Sequence, residues 1–137
     1  MRTTKPRKNK VGIQFAVSRR GLPSAALLRR WAPDIGGITV RIVGAREARR
    51  LNRQFRGKDK ATNVLTFATG DIVLCDPVIR REAREQGKSL RAHYAHLVLH
   101  GVLHLQGYDH VKRQDARRME RREIRWLRRL GFANPYE

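Results

Sequence analysis

Cysteine, acidic side chains and long apolar runs are all scarce in this sequence. Its 137 residues include one cysteine, Cys75, which excludes an intramolecular disulfide and favours a reducing compartment such as the cytoplasm. The position of Cys75 at the end of an apolar run predicts a buried thiol rather than a reactive one. No apolar run approaches the roughly 18 residues that a membrane-spanning helix needs, so no membrane partner is expected.

The acidic residues number 12 against 31 lysines and arginines, which gives a formal net charge of +19. Such an imbalance favours a polyanionic partner, and nucleic acid is the commonest one. A basic surface that is merely solvated is the alternative. Residues 1–10 are also basic, and we interpret them as a flexible basic tail that either contacts RNA or is simply solvated. The length favours a single domain over residues 11–137.

Three of the five histidines lie within eleven residues. His100 and His104 are four residues apart, so on a helix they share one face and lie one turn apart. Gly107 is predicted to end this helix in a left-handed conformation, and the following turn then carries His110 back toward the first two. Three imidazoles with one position open for water are typical of a catalytic zinc site. The spacing therefore predicts a metal site, with a structural histidine cluster as the alternative.

The same spacing occurs in the long metzincin protease motif, His-Glu-x-x-His-x-x-Gly-x-x-His. Those proteases need a glutamate directly after the first histidine as the general base. Here that position is Gly101, which has no side chain. Peptide hydrolysis by that route is therefore not expected.

Two further histidines, His93 and His96, fall on the same helical face, so the face alone does not select the ligands. His93 and His104 are eleven residues apart, about 16 Å along a helix, which is too far for one ion. Because His110 has to fold back to the C-terminal end of the helix, His100 and His104 are favoured over the earlier pair.

Hydropathy and turn patterns predict the remaining elements. Strands are predicted over 11–17, 38–42, 62–67 and 71–75, and the short connection 68–70 indicates a tight hairpin. Helices are predicted after Leu22-Pro23-Ser24, over 45–55, from Pro77 to Gly87, from Ser89 to about Leu105, and over 112–130. Phe55 is predicted on the apolar side of the second helix. Glu123 projects on the apolar side of the last helix and is predicted to snorkel or to pair with an arginine, with a role in catalysis as the alternative.

Residues 100–110, His-Gly-x-Leu-His-Leu-x-Gly-Tyr-Asp-His, resemble the signature of the YbeY family of bacterial metal-dependent endoribonucleases. Residues 52–67 are similar to the family segment Asn-x-x-Tyr-Arg-x-x-Asp-x-x-Thr-Asn-Val-Leu-Ser-Phe, and residues 82–99 resemble the lead-in to its histidine helix. The resemblance runs from about residue 45 to Asn134-Pro135-Tyr136. Family members usually carry a longer insertion where this chain has only residues 68–70.

The resemblance implies an α+β fold, with a small mixed sheet of about four strands, about five or six helices, and the metal-binding helix beside a cleft. It implies a single-strand endoribonuclease in small-subunit ribosomal RNA maturation and ribosome quality control, with the ribosome or a small-subunit ribosomal protein as partner. One zinc ion is the expected cofactor, although three imidazoles also accept nickel or another divalent transition metal. Whether a metal-activated water or the RNA 2′-hydroxyl is the nucleophile stays open.

In the resembled family the metal ligands are the positions that match His100, His104 and His110. Together with Arg56, the arginine that matches the family motif, they form the predicted catalytic set. Cleavage of RNA passes through a phosphorane that gains negative charge, which a metal and a positioned guanidinium stabilise. Arg56 is therefore predicted to grip the scissile phosphate.

Four other residues have predicted roles around this catalytic set. Lys58 and Lys60 are predicted phosphate contacts. His96 is predicted either to support the ligands or the substrate, or to line the groove. Asp109 is predicted to orient a ligating histidine or to cap the turn.

Two alternatives are compatible with the same residues. One is a ribosome-assembly factor that binds RNA or a ribosomal protein and whose metal site is mainly structural, closed by a fourth protein ligand. The other is a metallohydrolase of another substrate, including peptides. Gly101 argues against peptides, and the charge of +19 favours an anionic substrate.

Overall fold

A computed structural model describes residues 11–33, 36–108 and 112–137. The strands of these ranges are β1 (Gly12–Phe15), β2 (Thr39–Val43), β3 (Val64–Thr66) and β4 (Asp71–Cys75). The helices are α1 (Ala25–Trp31), α2 (Ala45–Arg56), α3 (Asp76–Glu85), α4 (Leu90–Leu105) and α5 (Arg113–Arg129). The predicted α+β class is therefore confirmed. The single domain over 11–137 stays a prediction, and the predicted basic tail 1–10 lies outside the described residues.

The sheet is mixed, with strand order β1-β2-β4-β3. β1 pairs in parallel with β2 and β2 with β4, whereas β3 runs antiparallel to β4. The predicted hairpin between β3 and β4 is confirmed, because the amide of Gly70 donates to the carbonyl of Phe67 at 2.9 Å. Gly70 has a φ of +98°, and a side chain there would collide with the carbonyl oxygen of Gly37. This tight turn leaves β3 at the edge of the sheet, beside α4.

Alternating residues of the central strands cover both faces of the sheet. Ile42 and Ile72 belong to the larger core, which includes side chains of α1, α4 and α5. Val73 and Cys75 belong to a smaller core with Ala48 of α2. Cys75 is a buried free thiol whose pKa is raised by burial, as its place in the apolar run predicts.

α4 is the central helix of the fold, and its sequence explains its bounds. Ser89 caps its first turn by accepting a hydrogen bond from the amide of Ala92 at 3.1 Å. Gly107, with φ of +96°, follows its last turn in the conformation that the sequence predicts. Ten of its 16 residues are buried, so α4 is apolar on most sides and forms much of the core.

Phe55 lies on the apolar side of α2, as the sequence predicts, and its ring packs against Phe67, which borders the smaller core. It is nevertheless 58 % exposed, because the last turn of α2 extends beyond the small core that Ala48 joins. In the described ranges, no helix has both the length and the apolarity that crossing a bilayer requires.

Candidate active site

One face of α4 carries four histidines in a row. His93, His96, His100 and His104 follow each other at spacings of three or four residues, and their neighbouring ring centroids lie 6.4, 6.1 and 5.4 Å apart. The first two are buried, whereas the last two are partly exposed. The helix therefore leads from a buried polar interior to an accessible imidazole pair.

A cleft of about 380 Å³ opens beside the accessible pair. Its walls come from the C-terminal end of α2, from the segment through β3 and from α4. The lining residues are Phe55, Arg56, Thr62, Asn63, Val64, Leu65, Thr66, Phe67, His100 and His104. The structure thus brings three members of the predicted catalytic set, Arg56, His100 and His104, to one cleft, and none of the lining residues carries a carboxylate. Lys58 and Lys60 are exposed nearby but do not line it.

The loop after α2 is held against α2 by hydrogen bonds, which restrains the position of Arg56. Gly57 caps the helix with φ of +69°, a conformation that favours glycine. The buried amide of Asn52 donates to the carbonyl of Lys60 at 2.9 Å. Farther out, Arg49 pairs with Asp59 at 2.8 Å in an exposed contact of small energetic weight.

The prediction that Glu123 snorkels or pairs with an arginine is wrong. This residue is fully buried, and its Oε2 accepts hydrogen bonds from His96 Nε2 at 2.7 Å and from His100 Nδ1 at 3.1 Å. Its Oε1 accepts a bond from the hydroxyl of Tyr136 at 2.7 Å. The sequence does contain a signal, because Glu123 lies between Met119 and Leu127 in the buried stripe of α5. A buried carboxylate in such a stripe needs hydrogen-bond partners.

Glu123 fixes the proton positions on its histidine neighbours. An ionised carboxylate only accepts, so His100 donates to it from Nδ1, and Nε2 is the ring nitrogen on the side away from this bond. Burial raises the pKa of Glu123, but the hydrogen bonds from His100 and His96 outweigh burial and bring this pKa to about 2. Ligating histidines usually donate their other ring N–H to a carboxylate, so His100 has the environment of a metal ligand.

Two ligand sets share His100. One is the predicted set with His104 and His110, and the other consists of His96, His100 and Glu123, whose candidate ligand atoms lie within 4.8 Å of one another. Two ligands of a tetrahedral zinc ion lie about 3.4 Å apart, given bonds of about 2.1 Å. The 2.7 Å between His96 Nε2 and Glu123 Oε2 fits a direct hydrogen bond better. His110 lies outside the described residues, and so does Asp109.

His93 takes part in a separate polar group. Its Nε2 lies 2.9 Å from Oε1 of Glu82, and this carboxylate also accepts a bond from Asn63 at 3.0 Å. Burial lowers the pKa of His93, and the hydrogen bond to Glu82 opposes that shift. Because Nδ1 of His93 is buried without a hydrogen-bond partner, the neutral ring that donates from Nε2 suits this place. This geometry gives His93 a structural role away from the cleft.

Packing explains why residue 101 is a glycine. A Cβ atom built on Gly101 would lie 2.8 Å from Cγ2 of Ile72 in β4. A side chain there would require Ile72 or α4 to shift, so the packing disfavours a general base at this position. The argument against a metzincin-type protease therefore has a steric basis.

The fold and the site together define a class of small α+β proteins in which a histidine-bearing helix borders a cleft. The sequence profile described as "Endoribonuclease YbeY" matches residues 18–131. Curated relatives agree over most of the chain. A protein of Aromatoleum aromaticum, named "Endoribonuclease YbeY", is 54 % identical over 132 residues, which cover 88 % of this chain and 86 % of the relative. This chain belongs to the YbeY family.

Two other relatives bear the same printed name. One, of Nitrosomonas eutropha, is 51 % identical over 135 residues, covering 90 % of this chain and 96 % of the relative. The other, of Nitrosospira multiformis, is 49 % identical over 158 residues, covering 96 % of this chain and 84 % of the relative. Since this aligned stretch is longer than the 137 residues of the present chain, the relative contains segments that have no counterpart here.

A solved structure supports the fold. The solution structure of TM1509 from Thermotoga maritima superposes with a TM-score of 0.52 and 24 % sequence identity, covering 88 % of this chain and 91 % of that one. At this identity the likeness concerns the fold alone.

Proposed function

We propose that this protein is a metal-dependent endoribonuclease that cleaves single-stranded RNA. One observation supports the proposal most strongly: His100 and His104 lie one helical turn apart on the wall of the cleft that Arg56 also lines. The curated relatives bear the name of an endoribonuclease, and the charge of +19 favours a polyanionic substrate.

The donor set fits a divalent transition metal. Imidazole nitrogens suit zinc, nickel and copper, and the hydrogen bond between His100 and Glu123 holds one of them in the orientation that ligation requires. We propose that His100, His104 and His110 would hold a single zinc ion. When bound, it supplies Lewis acidity toward the phosphodiester.

The chain's own residues then divide the remaining work. Arg56 binds the scissile phosphate through its planar guanidinium, which matches two phosphate oxygens at once. The cleft lining without carboxylates lets the RNA backbone approach the imidazole pair without repulsion. Lys58 and Lys60 contact neighbouring phosphates from the loop beside the cleft. Asp109 orients the third ligand, and His96 holds Glu123 in place.

The proposal extends to the substrate, the partners and the location of the protein. We infer that the substrate is small-subunit ribosomal RNA, in its maturation and in ribosome quality control. The partners are then the ribosome or a small-subunit ribosomal protein, and the location is the cytoplasm. The single reduced cysteine agrees with that compartment.

The test is cleavage of an end-labelled ribosomal RNA fragment by zinc-loaded protein, beside His104→Ala and His93→Gln. Loss of the metal's charge stabilisation costs several kcal/mol, so His104→Ala and a chelator should each lower the rate about 100-fold or more. His93→Gln, on the same helix but outside the cleft, should cleave like the wild type. Equal cleavage by His104→Ala would overturn the proposal.

A second candidate is an RNA-binding assembly factor with a structural metal site. The group of His96, His100 and Glu123 favours it, because its candidate ligand atoms lie within 4.8 Å of one another and its carboxylate is fully buried. A protein that binds the RNA fragment tightly, does not cleave it, and unfolds at lower temperature after chelation would support this candidate.

A further inference from the structure

Phe55 is one of two large hydrophobic side chains that are exposed in the described ranges, and the other is Tyr136. It ends the apolar stripe of α2, directly before Arg56. Exposing an aromatic ring costs free energy that burial elsewhere in the core would recover. A lone exposed ring is common on protein surfaces, so exposure by itself decides nothing.

The position of the ring in the cleft is more specific. Phe55 lines the same cleft as Arg56, His100 and His104. Its ring meets that of Phe67 edge to face, with centroids 5.3 Å apart and an interplanar angle of 79°. This contact restrains the ring, and 58 % of the residue is still open to solvent.

The backbone that carries the ring is also restrained. Gly57 ends the helix one residue after Arg56, and Lys58 donates its amide to the carbonyl of Asn52 at 3.3 Å. Phe55 and Arg56 are therefore presented together: one offers an aromatic surface and the other a guanidinium. A single-stranded nucleic acid offers the complementary pair, an unpaired base and the phosphate next to it.

We propose that Phe55 stacks against an unpaired base of single-stranded RNA, next to the phosphate that Arg56 binds. This inference rests on the proposed function only in taking RNA as the ligand. The cleft is lined without carboxylates, and the net charge of +19 favours such a strand over an apolar peptide. Stacking tolerates any base, so Phe55 contributes affinity and register rather than sequence specificity.

The experiment compares the dissociation constants of three proteins for two strands, all measured at one fixed salt concentration. The ligands are a six-nucleotide 2′-O-methyl strand and a strand with the same backbone but no bases. The proteins are zinc-loaded wild type, Phe55→Leu and Phe55→Trp. Gel analysis after each titration establishes that the strand is intact, and thermal melting establishes that the variants are folded.

For the strand with bases, Phe55→Leu should weaken binding about 5- to 100-fold, and Phe55→Trp should keep it. For the strand without bases, the three proteins should bind equally. Equal losses on both strands, or no loss on either, would overturn the stacking proposal. Cleavage of unmodified RNA is measured separately. If Phe55→Leu weakens binding only to the strand with bases and the wild type cleaves no RNA, the nuclease proposal is refuted and the stacking proposal stands.

Discussion

Glu123 Oε2 lies 3.1 Å from Nδ1 of His100, although the two residues are 23 positions apart on different helices. The carboxylate is fully buried, and accepts from His96 and Tyr136 as well. A buried charge is tolerated where its hydrogen bonds are complete, and this one has donors on both oxygens. The consequence at the cleft is a His100 ring whose orientation is fixed through its Nδ1.

Replacing Glu123 should therefore weaken metal binding. We expect Glu123→Gln to lower zinc affinity about 10- to 100-fold, since partners of ligating histidines typically contribute that much. Competition with a chromophoric chelator measures the affinity. Glu120→Gln, a change on the same helix, serves as the control and should bind zinc like the wild type. Wild-type affinity in Glu123→Gln, with the fold intact by melting, would contradict the assigned role.

The two possible ligand sets give opposite results for single histidine changes. If His100 and His104 are ligands, His104→Ala loses stoichiometric zinc, whereas His96→Ala keeps it with reduced affinity. If Glu123 and His96 are ligands instead, His96→Ala loses stoichiometric zinc and His104→Ala keeps it. Zinc content after gel filtration distinguishes the sets, and His100→Ala should lose the metal in either case. We expect the first pattern, because the 2.7 Å between His96 and Glu123 fits a hydrogen bond.

The features that were predictable from sequence depend on neighbours in the chain. The bounds of α4 follow from the serine cap and Gly107, and the hairpin follows from its short connection. The environments of Phe55 and Glu123 depend on distant elements. The periodicity of α2 does not show that the core ends before its last turn, and no local pattern reveals that α5 places Glu123 beside His100. Tertiary packing decides both.

Gly101→Ala tests the close approach of α4 to the sheet. The added Cβ would lie 2.8 Å from Cγ2 of Ile72, and overpacking of this kind costs about 1–3 kcal/mol. Better helix propensity offsets up to about 1 kcal/mol of that cost. We expect a lower free energy of unfolding in urea. In a double variant with Ile72→Ala the two losses should not add, because the new methyl group occupies vacated space. A fully additive double variant would mean that the contact is not the cause.

Acid should destabilise the protein in part through His93. Burial lowers the pKa of this ring, with Glu82 opposing the shift and Lys88 and His96 adding to it. The unfolded state then takes up a proton near the ordinary value of 6.5, whereas the folded state does so only at lower pH. The stability from the neutral ring is complete above about pH 6.5 and is lost as pH falls toward the native pKa.

The His93→Gln variant keeps a donor for Glu82 and removes the titration. We expect the free energy of unfolding to fall less steeply for this variant than for the wild type as the pH is lowered below about 6.5. Urea unfolding at several pH values measures the difference. Parallel curves for the two proteins would show that His93 titrates alike in the folded and unfolded states.

Arg56 should matter for turnover more than for binding. If its guanidinium stabilises the charge that develops on the phosphorane, Arg56→Ala should lower kcat about 100- to 1000-fold. Arg56→Lys keeps the charge but loses the planar two-point contact, so it should recover only a small part of the rate. Cleavage of an end-labelled single strand, measured over a range of RNA concentrations, separates kcat from KM.

Arg50→Ala is the matched control, since it removes an exposed arginine from the same helix outside the residues that line the cleft. The control loses the same charge, so any general electrostatic effect on RNA affinity should appear in both variants as a similar rise in KM. Only the Arg56 variants should lose kcat. Equal kinetics for Arg50→Ala and Arg56→Ala would reduce Arg56 to one of many basic surface residues, and the phosphate would then need another partner in the cleft.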